Sequence, residues 1–238
     1  MMVDATILDA IRLITGTLLL AYASYTDMKT RRAADILWVI MGVVGAILLV
    51  IQYFDGGFSN IWFLVFIPIM IVLTYAFFQL GLIVGGADAQ ALMALAILVP
   101  IQPIIGVFPF LPSFFPGSFC IFLNALILFL FIPISLFFFN LRKRNLQFPH
   151  CFLGYVTSIE KAKHTFVWPM EKIKDGKRKL VYMPKDLNVD EELAEFEKLG
   201  VKEIWVAPKI PFMIPLLAGF LATFFLGDIL LQIFRLLL

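Results

Sequence analysis

The sequence predicts an all-α membrane bundle of six transmembrane helices, with a small cytosolic α+β domain inserted between the fifth and sixth. Three observations predict it. Of 238 residues, 61% are hydrophobic and 15% charged, with a mean hydropathy of +0.95; a soluble domain runs near half apolar and a quarter charged. Between Asp35 and Arg142 the only charged residues are Asp55 and Asp88. Finally, fourteen of the 19 Lys and Arg and ten of the 17 Asp and Glu fall within residues 141–209. A polar segment is thus set between a long apolar part and a final apolar stretch. The predicted organisation is 1–140 for helices one to five, 141–209 for the cytosolic domain and 210–238 for helix six.

Taken in order, the apolar segments are 6–26, 36–54, 59–83, 89–108, 117–140 and 210–238, each near the ~20 residues a span needs. The polar run Asp27 to Asp35 separates the first two, and Asp55-Gly56-Gly57 forms the next turn. Gly85-Gly86 opens a bend, and Pro109, Pro112 and Pro116 punctuate the fourth connection. Backbone groups in hydrocarbon must bond internally, so such segments are helices; the ten-residue alternation of a β-barrel is absent. Pro68 and Pro133 are expected to kink spans three and five, and the run Phe137-Phe138-Phe139 to face lipid. The first segment is too long for a signal-peptide core and lacks a small-residue cleavage site, so it is read as a retained span.

Lys and Arg in the short flanks set orientation. The first connection holds Lys29, Arg31 and Arg32, the fifth opens with Arg142-Lys143-Arg144, and the second and fourth hold none. Odd-numbered connections are therefore cytoplasmic, both termini lie outside the cell membrane, and residues 141–209 face the cytoplasm. Within them, Asp175-Gly176 suggests a hairpin turn between Phe166-Val167-Trp168 and Leu180-Val181-Tyr182. Val189 to Leu199 places Leu193, Phe196 and Leu199 at helical spacing ahead of a capping Gly200. Ile204-Trp205-Val206 reads as a strand. The basic excess here is read as a solvated face beside anionic lipid, and Pro208, Pro211 and Pro215 as breaks at the entry to span six.

Several function classes are excluded. A net charge of +2 is no nucleic-acid footprint, so no such partner is expected. Cys120 and Cys151 stand 31 residues apart with no Cys-x-x-Cys, which supports neither a zinc site nor a disulfide framework. No cofactor is expected. His150 and His164 are not spaced as ligands and are expected at the surface or an interface.

Charged residues at membrane depth are costly, about 2.5–3.5 kcal/mol on insertion scales, and usually mark function. Asp55 is read as solvated in an outer turn, Asp9 as a local ion pair with Arg12, and Asp35 as the N-cap of span two. Asp228 is read as structural. Asp27 closes span one and Asp88 opens span four, so parity puts both at one membrane face. Asp88 follows Gly85, Gly86 and Ala87, small residues that admit close approach; the plain alternative is a tight turn with Asp88 as N-cap. Two adjacent carboxylates do not both ionise easily, so one keeps a proton while the other deprotonates water. Such a pair hydrolyses peptides without a metal or a nucleophilic side chain. A proton-coupled transporter using the same carboxylates is the alternative, although no internal repeat supports it.

The stretches Tyr25-Thr26-Asp27-Met28-Lys29, Gly85-Gly86-Ala87-Asp88-Ala89 and Glu203-Ile204-Trp205-Val206-Ala207-Pro208-Lys209-Ile210-Pro211 resemble the archaeal preflagellin and prepilin peptidases, membrane aspartyl proteases of the Gly-x-Gly-Asp class. The resemblance covers nearly the whole chain. It implies six helices, Asp27 and Asp88 as the catalytic pair, and Gly85, Gly86 and Ala87 as the turn supporting it. It also implies, as substrates, preflagellin (archaellin) and prepilin precursors, cut after a short basic leader at the cytoplasmic membrane face. Ala87 stands where the motif has its second glycine, and is expected to alter the local turn. Gln90 stands where relatives often carry lysine. The Cys-x-x-Cys segment of bacterial prepilin peptidases is absent, so no linked N-methyltransferase activity is expected.

Overall fold

The computed structural model describes residues 5–55, 61–83, 85–111, 113, 115–174, 177–181 and 189–237. They fall into two compact units, Met1–Phe129 with Pro211–Leu238, and Leu130–Ile210. In chain order the helices of the first stretch are α1 (Ala5–Thr30), α2 (Ile36–Phe54), α3 (Phe66–Gln79, entered through a tighter turn at Ile61–Val65), α4 (Gly86–Leu98) and α5 (Gly117–Phe129). Next come α6 (Phe131–Lys143), α7 (His150–Leu153), β1 (Tyr155–Ser158), α8 (Ile159–Lys163), β2 (Val167–Pro169), β3 (Glu171–Lys174), β4 (Lys177–Leu180), α9 (Val189–Lys198) and β5 (Glu203–Pro208). The chain returns to the first unit with α10 (Met213–Phe225) and α11 (Ile229–Leu237).

Among the described residues, four helical stretches are long and apolar enough to cross a membrane: Ala5–Thr30, Ile36–Phe54, Ile61–Gln79 and Gly117–Lys143. The chain is a mostly helical membrane protein with a small α+β region toward its C-terminal end. Two expected spans come out shorter. Helix α4 has 13 residues and rises about 20 Å, less than the ~30 Å hydrocarbon layer. Its early end has a local cause. A residue ahead of proline avoids the helical region, and Val99, before Pro100, sits at φ −129° and ψ 65°. The predicted helix over 89–108 therefore starts earlier and stops ten residues sooner. The last apolar stretch divides into α10 and α11 at Gly227, whose φ of +94° no L-residue readily adopts.

The non-helical backbone after α4 is tied into the first unit. The Ile104 amide donates to Asp9 Oδ2 at 2.8 Å, and the Gln102 side chain donates to the Thr223 carbonyl at 3.2 Å. The Phe110 and Leu111 amides donate to the Phe225 and Leu226 carbonyls at 3.2 and 2.9 Å. Irregular backbone survives at membrane depth only with such protein partners. The Asp9–Arg12 pair is present at 2.6 Å, but it is a tertiary joint rather than a local one: Arg12 also donates to Gln52 on α2 at 2.7 Å. Asp228 is fully buried, accepts the Leu231 amide at 2.9 Å as the cap of α11, and receives the Ser113 hydroxyl at 3.2 Å.

Small residues let the helices close on one another. A Cβ at Gly45 of α2 would lie 2.7 Å from Leu98 Cα of α4, one at Gly219 of α10 would lie 2.8 Å from Ala125 Cα of α5, and one at Gly16 of α1 would enter the Phe220 ring. Leu20, Met41, Leu95, Ile121, Leu216 and Phe220 fill the resulting core. The joints at Asp9, Arg12, Gln52 and Ile104 gather the start of α1 and the ends of α2 and α4 at one pole. The end of α1 and the starts of α2 and α4 therefore form the other.

Prolines act where their missing N–H is felt. Pro133 removes the partner of the Phe129 carbonyl, and the helix breaks at Leu130 between α5 and α6, where the first unit's chain also divides. Pro68 instead sits in the first turn of α3, at the change of winding. Helix α3 ends sooner than the apolar run because Gly81, at φ +71°, closes it: the Leu82 and Gly81 amides return to the Phe77 and Phe78 carbonyls at 2.9 and 3.0 Å.

In the second unit β5 lies between β1 and β2, antiparallel to both, with Tyr155 opposite Val206 and Trp168 opposite Ala207. Its central place buries Ile204 and Val206 on one face, where Leu193 and Phe196 of α9 cover them, and Trp205 on the other, against Cys151 and Met170. The hairpin exists, as β3 with β4 and Lys174 opposite Lys177. However, Phe166-Val167-Trp168 is not its first strand, since Val167 and Trp168 pair with β5 instead. Leu199 is 58% exposed; Gly200, at φ +73°, ends α9 before a further buried position. His150 is buried beside Trp205, not at the surface, because Asn140 holds the short α7 in place by bonds to the Cys151 and Gly154 carbonyls at 2.9 and 2.6 Å. Phe138 and Phe139 are exposed, while Phe137 stacks on Phe152 at 4.7 Å. Cys120 and Cys151 are free thiols. Gly56, Gly57, Pro112, Asp175, Gly176 and Tyr182, on which several expectations rest, lie outside the described residues.

Candidate active site

Asp27 stands in the last turn of α1, half-buried, on the side that carries the buried Ala23 and Ser24 one turn earlier. Two threonines tighten this turn. Thr26 Oγ1 donates to the Ala23 carbonyl at 3.0 Å, and Thr30 Oγ1 donates to the Thr26 carbonyl at 2.9 Å. The Arg31 amide then closes the helix on the Asp27 carbonyl at 3.0 Å. Arg31 does this at φ +57°, a left-handed backbone uncommon for a residue with a Cβ.

Asp88 is the third residue of α4 and half-buried. The N-cap is Gly85, at φ −83° and ψ 118°, and its carbonyl accepts the Ala89 amide at 3.2 Å. Asp88 is thus not the capping residue. Its carboxyl folds back over Gly85, where an added Cβ would lie 2.9 Å from Asp88 Cγ and overlap Oδ2. Gly85 is small to make room for Asp88 itself. Gly86 has only the Phe78 ring near it, at 3.9 Å. Ala87 is an ordinary helical residue, so its departure from the motif causes no change of turn: the position asks for no positive φ.

The two carboxylates belong to the same pole of the first unit, and α1 touches α4 directly.

The other acidic candidates go elsewhere. Asp9 and Asp228 are buried in joints of the opposite pole. Asp35 occupies the N-cap position of α2 but makes no side-chain cap bond. Its backbone is already helical, whereas a capping residue needs an extended one to aim its oxygen at the first turn. Asp55 ends α2. Among the described residues no group of three or more His, Cys, Asp or Glu could hold a metal ion. The Trp205 segment is the middle strand of the second unit, its amide bonded to Glu171 Oε1 at 2.8 Å, which makes it a structural element there.

Chemically, the pole offers two carboxylates on separate helices, one in the last turn of α1 and one in the first turn of α4. Residues 14–141 match the model of the type IV leader peptidase family, and residues 146–229 match that of the Archaeal Peptidase A24 C-terminus Type II. The chain is 29% identical to a preflagellin peptidase of Methanococcus voltae, over 92% of this chain and 96% of the relative. It is 28% identical to one of Methanocaldococcus jannaschii, over 94% and 97%. A preflagellin peptidase of Methanococcus maripaludis is 27% identical, over 92% and 96%.

Proposed function

The chain belongs to the type IV leader peptidase family, and from that premise we propose that it removes the short basic leader of preflagellin and prepilin-type precursors at the cytoplasmic membrane face. It is an aspartic-type peptidase. Asp27 and Asp88 are its catalytic pair. One carboxylate takes a proton from water as the oxygen attacks the scissile carbonyl carbon, and the other gives its proton to the carbonyl oxygen. Collapse of the tetrahedral intermediate then breaks the C–N bond, and the proton taken from water passes to the leaving amine. Gly85, Gly86 and Ala87 form the turn that presents Asp88.

The observation that carries this reading is the juxtaposition of α1's last turn with α4's first, which gives the two carboxylates a common pole. In the proposed topology α4 with residues 99–108 and α10 with α11 complete six crossings, and both termini lie outside. Residues 141–209 then form a cytoplasmic domain inserted between the fifth and sixth. The test is cleavage of a synthetic preflagellin in membranes by the wild type and by Asp27→Asn and Asp88→Asn. Each variant should fall to the uncatalysed background. Full activity in either would remove that residue from the pair.

A further inference from the structure

Between α6 and β1 the second unit carries a groove of about 490 Å³, lined by Phe131, Ile132, Ser135, Leu136 and Phe139 of α6 and by Tyr155 of β1. Its course follows from helical spacing. Phe131, Ser135 and Phe139 recur every four residues, with Ile132 and Leu136 beside them, so the five form one stripe along the helix. The Ser135 hydroxyl is spent on the Phe131 carbonyl, to which it donates at 2.7 Å. Tyr155 closes one side, its ring edge-on to Phe139 at 5.8 Å. The walls are thus largely apolar, and they stand on a helix that belongs to the span-length apolar stretch Gly117–Lys143.

One end of the stripe is charged. The next four-residue step from Phe139 is Lys143, with Arg142 beside it in the last turn of α6, and Arg144 follows. All three are exposed, and none makes an ion pair among the described residues. No Asp or Glu occurs in the sequence between Asp88 and Glu160 to offset them. Leu146 and Phe148, the latter 80% exposed, stand just beyond; cations mixed with exposed apolar side chains suit a membrane's headgroup layer. From Phe131 to Lys143 the helix rises about 18 Å, slightly more than half of the ~30 Å hydrocarbon layer. The stripe therefore matches one leaflet, with its cations at headgroup level. A neutral apolar ligand would leave those cations unused, and a zwitterionic lipid would leave their charge uncompensated.

We propose that this groove binds one anionic phospholipid, an acyl chain lying along Phe131 to Phe139 against Tyr155 and the phosphate meeting Arg142 and Lys143. A lipid held there ties β1, an edge strand of the second unit's sheet, to the membrane face at which α6 ends.

The experiment takes the full chain in detergent and titrates it with phosphatidylglycerol and with phosphatidylcholine of the same acyl chains, bound lipid being counted by native mass spectrometry. The wild type should hold one phosphatidylglycerol about tenfold more tightly than phosphatidylcholine, as two cations near a phosphate require. Arg142→Gln combined with Lys143→Gln should bring the two lipids level, while Lys198→Gln, at an exposed cation on α9, should keep the preference. Ser135→Trp, which lays a large ring across the stripe, should weaken both lipids about tenfold, because burial of the chain supplies the binding they share. The two Gln substitutions fall on exposed positions, so their result stands whatever Ser135→Trp does to stability. Glycerol phosphate at the same concentration should not displace the lipid. Equal affinity of the wild type for the two lipids, a preference that survives the paired Gln substitutions, unaltered binding in Ser135→Trp, or displacement by glycerol phosphate would overturn the proposal.

Discussion

Replacing Gly85 with alanine adds one methyl group at the point where the Asp88 carboxyl turns back over the start of α4. The backbone there is extended, with φ −83° and ψ 118°, and alanine adopts it freely. As an N-cap, alanine costs about 0.5–1 kcal/mol relative to glycine, a modest loss of stability. The local effect is larger. Asp88 Cγ would lie 2.9 Å from the new methyl, too close for any χ2 rotation to relieve, because Cγ does not move about χ2. The side chain must pass to another χ1 rotamer, which carries Cγ through about 2.5 Å. A misplacement of about 1 Å can cost roughly 10²-fold in rate. Gly85→Ala should therefore lose at least about 10²-fold in kcat, or ~2.7 kcal/mol of barrier, with KM little changed. Gly86→Ala is the matched control, since its methyl meets only an ordinary contact. It should keep its activity and gain up to about 1 kcal/mol of helix stability. The assay is precursor cleavage in membranes beside thermal unfolding in detergent. Full activity in Gly85→Ala, or its outright unfolding, would refute the reasoning.

Three further outcomes concern the fold. Arg12→Met leaves buried Asp9 with only the Ile104 amide, and should cost about 3–5 kcal/mol, read as a fall in detergent unfolding temperature. Asp35→Ala removes an exposed carboxylate that makes no cap bond, and should stay within about 0.5 kcal/mol of the wild type. Phe196→Ala empties a position that is 1% exposed in the second unit. It should destabilise that unit by about 3–5 kcal/mol, seen as faster hydrogen exchange in β5 while α1 and α4 keep their protection.

The helical class and the placement of Asp27 and Asp88 at helix ends were readable because hydropathy and isolated charges are local signals. Where the structure departs from expectation, the deciding partner lies far along the chain. Asp9 and Arg12 read as an i, i+3 pair, yet their other partners are Ile104 and Gln52, 95 and 40 residues away. Phe166-Val167-Trp168 read as part of the nearest hairpin, but β2 pairs with β5 about 40 residues later. His150 read as a surface or interface residue because nothing near it announces the Asn140 bonds that fix α7. The role of Gly85 in seating Asp88 depends on a rotamer, which no spacing encodes. A closer reading could have found two features: the proline after Val99 marks the end of α4, and Gly81 marks the end of α3.

The first unit is assembled from two pieces of chain with residues 130–210 between them, and α10, from the second piece, is packed into its core. Phe220 of α10 is completely buried and meets α1 at Gly16, while Gly219 meets α5 at Ala125. Without α10, the faces of α1 at Gly16 and of α5 at Ala125 are left uncovered. A nascent or truncated chain ending before α10 would already contain both carboxylates but not the scaffold that steadies their helices.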